Sequence, residues 1–193
     1  MNAKIGADAK KSIKNIKYLA SLRGINVGGN NIIKMDDLKA AFESMGFSEV
    51  VTYIQSGNVI FNSKESDLSK VTKLVEKTLS TKFAFNSTVV ILTHEQLIET
   101  VKQAPREFGH YPIKYKYDVV FIKSPFSAAV AFQQVKTREG VDKIWQGECV
   151  LYFRKLIIDA EKSRLIQITN QPAYKFITIR NWNTTSQLLE LMA

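Results

Sequence analysis

Cysteine, histidine and long apolar runs are nearly missing from this chain. Its single cysteine, Cys149, excludes an internal disulfide framework and fits a reducing cytoplasm. In the apolar run Cys149-Val150-Leu151-Tyr152-Phe153 it reads as a small buried hydrophobe on a strand. With only two histidines beside it, no tetrahedral metal site is expected, and no cofactor. His94-Glu95-Gln96-Leu97-Ile98 opens like a zinc-protease helix but has Ile98 where a second ligand must stand. No stretch approaches the roughly 18 consecutive apolar residues of a membrane span, and the first sixteen residues lack a signal peptide's apolar core. The chain therefore reads as cytoplasmic, with no membrane partner. Its glycines follow neither a P-loop nor a dinucleotide fingerprint, and no serine sits in a nucleophile elbow. No catalytic residue stands out, and whether the chain is an enzyme is open.

Acidic residues are also in deficit, 18 against 27 basic ones, for a formal charge of +9. Part of this lies in a basic N-terminal extension, residues 1–16, where Lys4, Lys10, Lys11 and Lys14 face Asp8 alone. Ile5, Ala9, Ile13 and Ile16 fall there at roughly helical spacing. A positive field favours anionic partners without specifying a fold or a reaction.

What is present is a regular succession of elements. Residues 17–22 read as a first strand. Asp36 can cap a helix with Leu38, Ala41, Phe42 and Met45 on one face, stopped by Gly46. Residues 50–55 and 58–61 read as strands joined by a tight turn at Ser56-Gly57. A second helix from Ser66 turns Leu68, Val71, Leu74, Val75 and Leu79 inward, and residues 88–92 make a fourth strand. Thr93 and Gln96 form a capping box for a connecting helix that ends at Ala104-Pro105. This order is β-α-β-β-α-β, a ferredoxin-like unit. After Gly109 and Pro112 the pattern restarts less regularly. Residues 116–122 read as a strand and 127–135 as a helix. A hairpin turns around Gly147, a short helix spans 163–169, residues 176–179 read as a strand, and Thr184 with Gln187 caps a terminal helix. The fold class is α+β: two ferredoxin-like halves, the second degenerate, with antiparallel sheets and helices packed on one face. The expected boundaries are 1–16 for the extension, 17–108 for the first half, and 109–193 for the second half with its C-terminal helix.

The candidate site follows from connectivity. In a ferredoxin-like sheet of order 4-1-3-2, strands one and three are antiparallel neighbours. The loop leaving the first and the turn entering the third then share one rim. That loop carries Arg23, Gly24, Asn26, Gly28, Gly29 and Asn30; the turn carries Gln55, Ser56 and Asn58. Glycines permit positive φ and close backbone approach. The start of the first helix adds free N–H groups for an anion, opposed by Asp36 and Asp37 and partly offset by Lys34. Arg180 and Asn181 stand at a second strand-to-helix junction and join the list, while Trp182 beside them reads as a core residue.

Three ordered motifs, Leu22-Arg23-Gly24-Ile25-Asn26-Val27-Gly28-Gly29, Thr52-Tyr53-Ile54-Gln55-Ser56-Gly57-Asn58-Val59 and Arg180-Asn181-Trp182-Asn183-Thr184, resemble those of an uncharacterised bacterial family of unknown function. The resemblance runs from about Tyr18 to the C terminus. It implies a cytoplasmic α+β protein with two ferredoxin-like halves, and no activity, cofactor or catalytic residue. The residues themselves favour a binding protein for a small anionic or nucleotide-like ligand at the glycine-rich loop and hairpin turn. Two alternatives stay open. One is nucleic-acid binding through the basic surface, with Tyr115 and Tyr117 flanked by Lys114 and Lys116 as the aromatic element; an edge strand protected by lysines has the same pattern and is the stronger reading of that run. The other is a structural or oligomerisation module with no ligand. Oligomeric state is left open.

Overall fold

The computed structural model describes residues 15–29, 31–86 and 88–193. The N-terminal extension lies almost wholly outside them, as does Asn30. The first strand, β1 (Ile16–Leu22), is buried over its last five residues. Successive side chains alternate between faces, so Tyr18, Ala20 and Leu22 enter one apolar cluster while Leu19 enters another. A strand that is apolar on both faces belongs inside a sheet. Here β1 lies between β3 (Asn58–Ser63) and β4 (Val89–Thr93), with β2 (Ser48–Tyr53) outside β3, all antiparallel.

Helices α1 (Met35–Ser44) and α2 (Leu68–Phe83) cover the Tyr18 face through Leu38, Phe42, Val71, Val75 and Leu79. The α1 cap differs from expectation. Lys34 takes the N-cap position with no side-chain bond, and Asp36 lies inside the first turn. On α2 the cap is Asp67, which accepts from the N–H groups of Ser69 and Lys70. Thr72 is buried where Leu74 was expected, because Leu74 turns out to solvent at 42% exposure. The capping box of Thr93 and Gln96 starts α3 (His94–Lys102).

The second half repeats the plan. Strands β5 (Tyr115–Ile122), β6 (Asp142–Gln146), β7 (Val150–Leu156) and β8 (Ile177–Asn181) form a sheet of order β6-β7-β5-β8, with α4 (Ala128–Gln134) on one face. Where the first half has α2, this half has 3-10 turns at Ala160–Lys162, Leu165–Asn170 and Pro172–Phe176. The helix expected over 163–169 is therefore a 3-10 segment. β-Branched residues at 166, 168 and 169, with Pro172 soon after, disfavour α-helix. The terminal helix α5 (Trp182–Met192) is capped by Asn181, not by Thr184, whose N–H is the group that Asn181 Oδ1 receives. The fold is thus the expected α+β architecture of two ferredoxin-like halves, the second irregular.

The halves share a core. Leu19, Ile60, Val90 and Leu92 of the first sheet meet Val119, Phe121, Val150 and Tyr152 of the second. Leu97 of α3 and Leu188 and Met192 of α5 belong to the same cluster. Phe108, between α3 and β5, packs edge-on against Tyr117, Trp145, Tyr152 and Trp182. Strand β5 is interior to its sheet rather than an edge, so Tyr117 is buried in this aromatic cluster. Cys149 is exposed in the turn before β7, not buried within the strand. No helix among the described residues is long and apolar enough to cross a membrane.

Across this shared core the Tyr152 hydroxyl donates to the Thr100 carbonyl at 2.6 Å. Burial pushes the Tyr152 phenol up to about 12. An acid whose folded pKa is raised contributes stability that is complete below its unfolded pKa, about 10, and is lost as pH rises toward 12. Chemical denaturation of Tyr152→Phe should therefore show about 1–2 kcal/mol less stability at pH 7. Its decline between pH 10 and 12 should also be shallower than in the parent protein.

Candidate functional site: the rim between the two halves

The register of the first sheet settles where the loop and the turn lie. Ser21 pairs with Asn58, and the Leu22 N–H donates to the Gly57 carbonyl at 2.8 Å. Arg23 and Asn58 therefore lie at the same end of the sheet, as connectivity required.

The loop is stitched to the turn by its own amides. Asn26 Nδ2 donates to the carbonyls of Gln55 (2.9 Å) and Ile33 (3.0 Å), and its Oδ1 accepts from the Ile33 N–H. Asn31 Nδ2 closes the loop from inside onto the Gly24 carbonyl at 2.9 Å. Asn58 is fully buried, and its Nδ2 donates to the Tyr53 carbonyl and to Ser56 Oγ. Gly57 has φ +74, and a Cβ there would stand 2.6 Å from Ile25 Cδ1, so both backbone sign and space require glycine.

Arg180 enters this rim from the other half. Its side chain is 8% exposed, and every N–H of its guanidinium has a protein acceptor. Nε donates to Asn58 Oδ1 (2.6 Å), and Nη1 to Thr178 Oγ1 and the Ile179 carbonyl. Nη2 donates to the carbonyls of Leu22 (2.8 Å), Ser56 (2.9 Å) and Gly57 (3.3 Å). None of these acceptors is a carboxylate. Burial lowers the group to about 10, so it stays charged at neutral pH, held by carbonyl and hydroxyl dipoles with no counter-charge. Arg23 reaches the opposite way. Its Nη1 donates to the Tyr174 carbonyl in the second half, and its guanidinium lies 4.7 Å over the Tyr174 ring. The two arginines thus clasp the halves in opposite senses.

Of the predicted site residues, Arg23, Gly24, Asn26, Gln55, Ser56, Asn58 and Arg180 come together at the rim, with Gly28 and Gly29 in the same loop. Asn181 is committed to capping α5. Asn30 is outside the described residues. Arg180 and Asn58 have no donor left for a ligand. What remains open is a groove of about 350 Å³ lined by Asn26, Gly29, Ile32, Ile33, Lys34, Met35 and Gln55. Lys34 and Gln55 are exposed there, and their side chains bond no described residue. Tyr174 and Thr178 were missed as partners of the clasp. Tyr174 sits in an irregular segment, and Thr178 lies two residues from Arg180, so neither carried a pattern beyond its neighbours. Lys34 was visible only as a charge beside the α1 start.

Replacing Arg180 by Met strands the Leu22 carbonyl and Asn58 Oδ1 in a buried site, at about 1–3 kcal/mol per orphaned acceptor. Denaturant melts should show a loss of about 3 kcal/mol or more. Arg180→Lys should recover little, since an ammonium cannot reproduce the planar fork.

The chain matches, over residues 16–152, the model of the family described as "Protein of unknown function (DUF1697)". A comparison with curated proteins finds no match. Among solved structures, the conserved bacterial protein SP0830 from Streptococcus pneumoniae is similar at 20% identity and a TM-score of 0.80. That likeness covers 93% of this chain and 99% of the other, and shows a common fold. Since the matched segment takes in β1 through the start of β7, the chain belongs to this family of unknown function.

Proposed function

We propose that the chain is a binding protein for a small anionic or nucleotide-like ligand, held in the groove where the glycine-rich loop meets the start of α1. The observation that carries this reading is the backbone of the rim. Seven of the twelve described positive-φ residues cluster there: Gly24, Asn26, Gly28, Gly29, Asn31, Ile54 and Gly57. Ile54, a β-branched residue at φ 48, is the costliest of them. Backbone of this kind persists only where surrounding bonds over-determine it, and a rigid polar loop is a favoured place for a site.

On this reading the clasp residues Arg23, Asn26, Ser56, Asn58 and Arg180 set the groove's shape without touching the ligand. Contact falls to Lys34, to the Gln55 amide and to the backbone N–H of Gly29. The first turn of α1 has no side-chain cap, and its Met35 lines the groove, so it adds N–H groups for an anion. Asp36 and Asp37 in that turn weaken the anion site and favour a ligand that also offers hydroxyl donors. At about 350 Å³ the groove sits near the lower end of ligand pockets, which suits a sugar phosphate or mononucleotide better than a dinucleotide. The nucleic-acid alternative gains less support, because Tyr117 is buried against Phe108 and cannot stack on bases. The saturation of Arg180 favours the alternative of a rim that only braces the fold.

A thermal-shift series with ribose 5-phosphate, AMP, inorganic phosphate and citrate separates the two. A ligand at a hundred times its dissociation constant adds about 2.7 kcal/mol. The binding reading predicts such a shift, lost in a Lys34→Gln/Gln55→Ala double variant whose unliganded melting temperature is unchanged. No shift with any of the four, or a shift that survives the double variant, supports the bracing reading instead.

A further inference from the structure

A separate cavity of about 630 Å³ lies on the other side of the first sheet's edge, between α2, β4 and the end of β5. Its apolar lining includes Leu68, Leu92 and Ile122, and its polar lining includes Lys73, Glu76 and Lys123.

The open edge of β4 forms one wall. The Val89 N–H donates to Glu76 Oε1 at 2.9 Å, and the Thr93 N–H to Gln96 Oε1 at 2.9 Å. Both therefore point away from β1, and the alternation of an antiparallel ladder gives Ile91 the same outward sense. Ile91, which lines the cavity, offers it one N–H and one carbonyl, with the next outward donor on either side already taken. An added peptide strand needs a row of such groups. This edge is closed to strand addition and open to a single polar group.

The charges narrow the ligand further. Glu76 forms an ion pair with Lys123, so those two cancel. Lys73, exposed on α2, has no ion-pair partner among the described residues and leaves the cavity with one net positive charge. An adjoining groove of about 340 Å³ shares Leu92, Gln96 and Cys149 with the cavity and is lined by Glu95, Glu99 and Glu148. It repels an anion and directs a negative head toward Lys73. A dianion would set a second charge beside Glu76 with nothing to match it.

We propose that this cavity is a second binding site, taking a small amphipathic monoanion: a single carboxylate at Lys73 and the Ile91 N–H, and an apolar body against Leu68, Leu92 and Ile122. It does not depend on the reading of the rim.

Cys149, the sole cysteine, is exposed and lines the cavity, so its alkylation reports occupancy at a unique position. Partial desolvation, and then Glu148, raise its thiol pKa, so the labelling is run at pH 9. The full chain is treated with iodoacetamide and followed by intact mass, with decanoate as the probe and decyltrimethylammonium as its cationic counterpart. Decanoate should slow alkylation at least fivefold and saturably. Lys73→Met, a change at an exposed helix position, should raise the half-saturating concentration about tenfold, and the cation should protect far less. An alkylation rate indifferent to decanoate overturns the proposal. So does equal protection in Lys73→Met, or equal protection by the cation.

Discussion

A charged guanidinium buried without a carboxylate is the constraint around which this molecule is arranged. Taking such a group out of water costs several kcal/mol unless its hydrogen bonds are replaced in good geometry. At Arg180 the replacement comes from the Asn58 amide, the Thr178 hydroxyl and four backbone carbonyls. Three of those carbonyls, at Leu22, Ser56 and Gly57, belong to the other half of the chain. Satisfying the charge therefore requires the β1 end, the β2–β3 turn and β8 to occupy one relative position. Chain connectivity alone imposes no such position on two halves. A carboxylate partner could have followed the arginine through small displacements, whereas backbone carbonyls on a sheet end cannot.

Other contacts across the boundary act in the same direction with less specificity. The aromatic group around Phe108 and the aliphatic layer between the sheets provide area, which is large but non-directional. Arg23 on Tyr174, Glu76 with Lys123, and Lys17 on the Met192 carbonyl place directional bonds around that layer. Glu76 ties α2 to β4 and to the residue that follows β5, since the same oxygen also receives the Val89 N–H. The result is a shared core with polar bonds distributed around it. The cavity beside α2 is lined by two residues of these bonds, Glu76 and Lys123.

The first half was readable because its signals agree with one another. The alternation in β1, the capping box of Thr93 and Gln96, and the glycine turn at Gly57 each correspond to one local structure, and together they define one topology. The rim was legible for the same reason, since strand order places β1 and β3 ends together whatever the side chains do. What those side chains do there was not legible. Arg180 reads as an anion ligand because its partners across the boundary are mainly backbone carbonyls, which have no sequence signature, and lie more than 120 residues away. Cys149 was misplaced because its apolar neighbours form β7 while it sits in the preceding turn. The α1 cap position falls to Lys34 rather than Asp36, and a cap without a side-chain bond leaves no pattern to read. In the second half, 3-10 turns replace a helix, and β-branched residues with a proline blur the period that would have marked them.

The Arg180 guanidinium is locked, charged, inside the junction of the two halves. Hydrogen exchange at its Nε–H, followed by ¹⁵N-resolved NMR near neutral pH, reads this directly. The Nε–H should exchange slowly, with an opening free energy that approaches that of global unfolding, as for the most protected core amides. Exchange at the rate of a solvent-exposed arginine would contradict it, and would mean that the halves are held by their apolar layer alone.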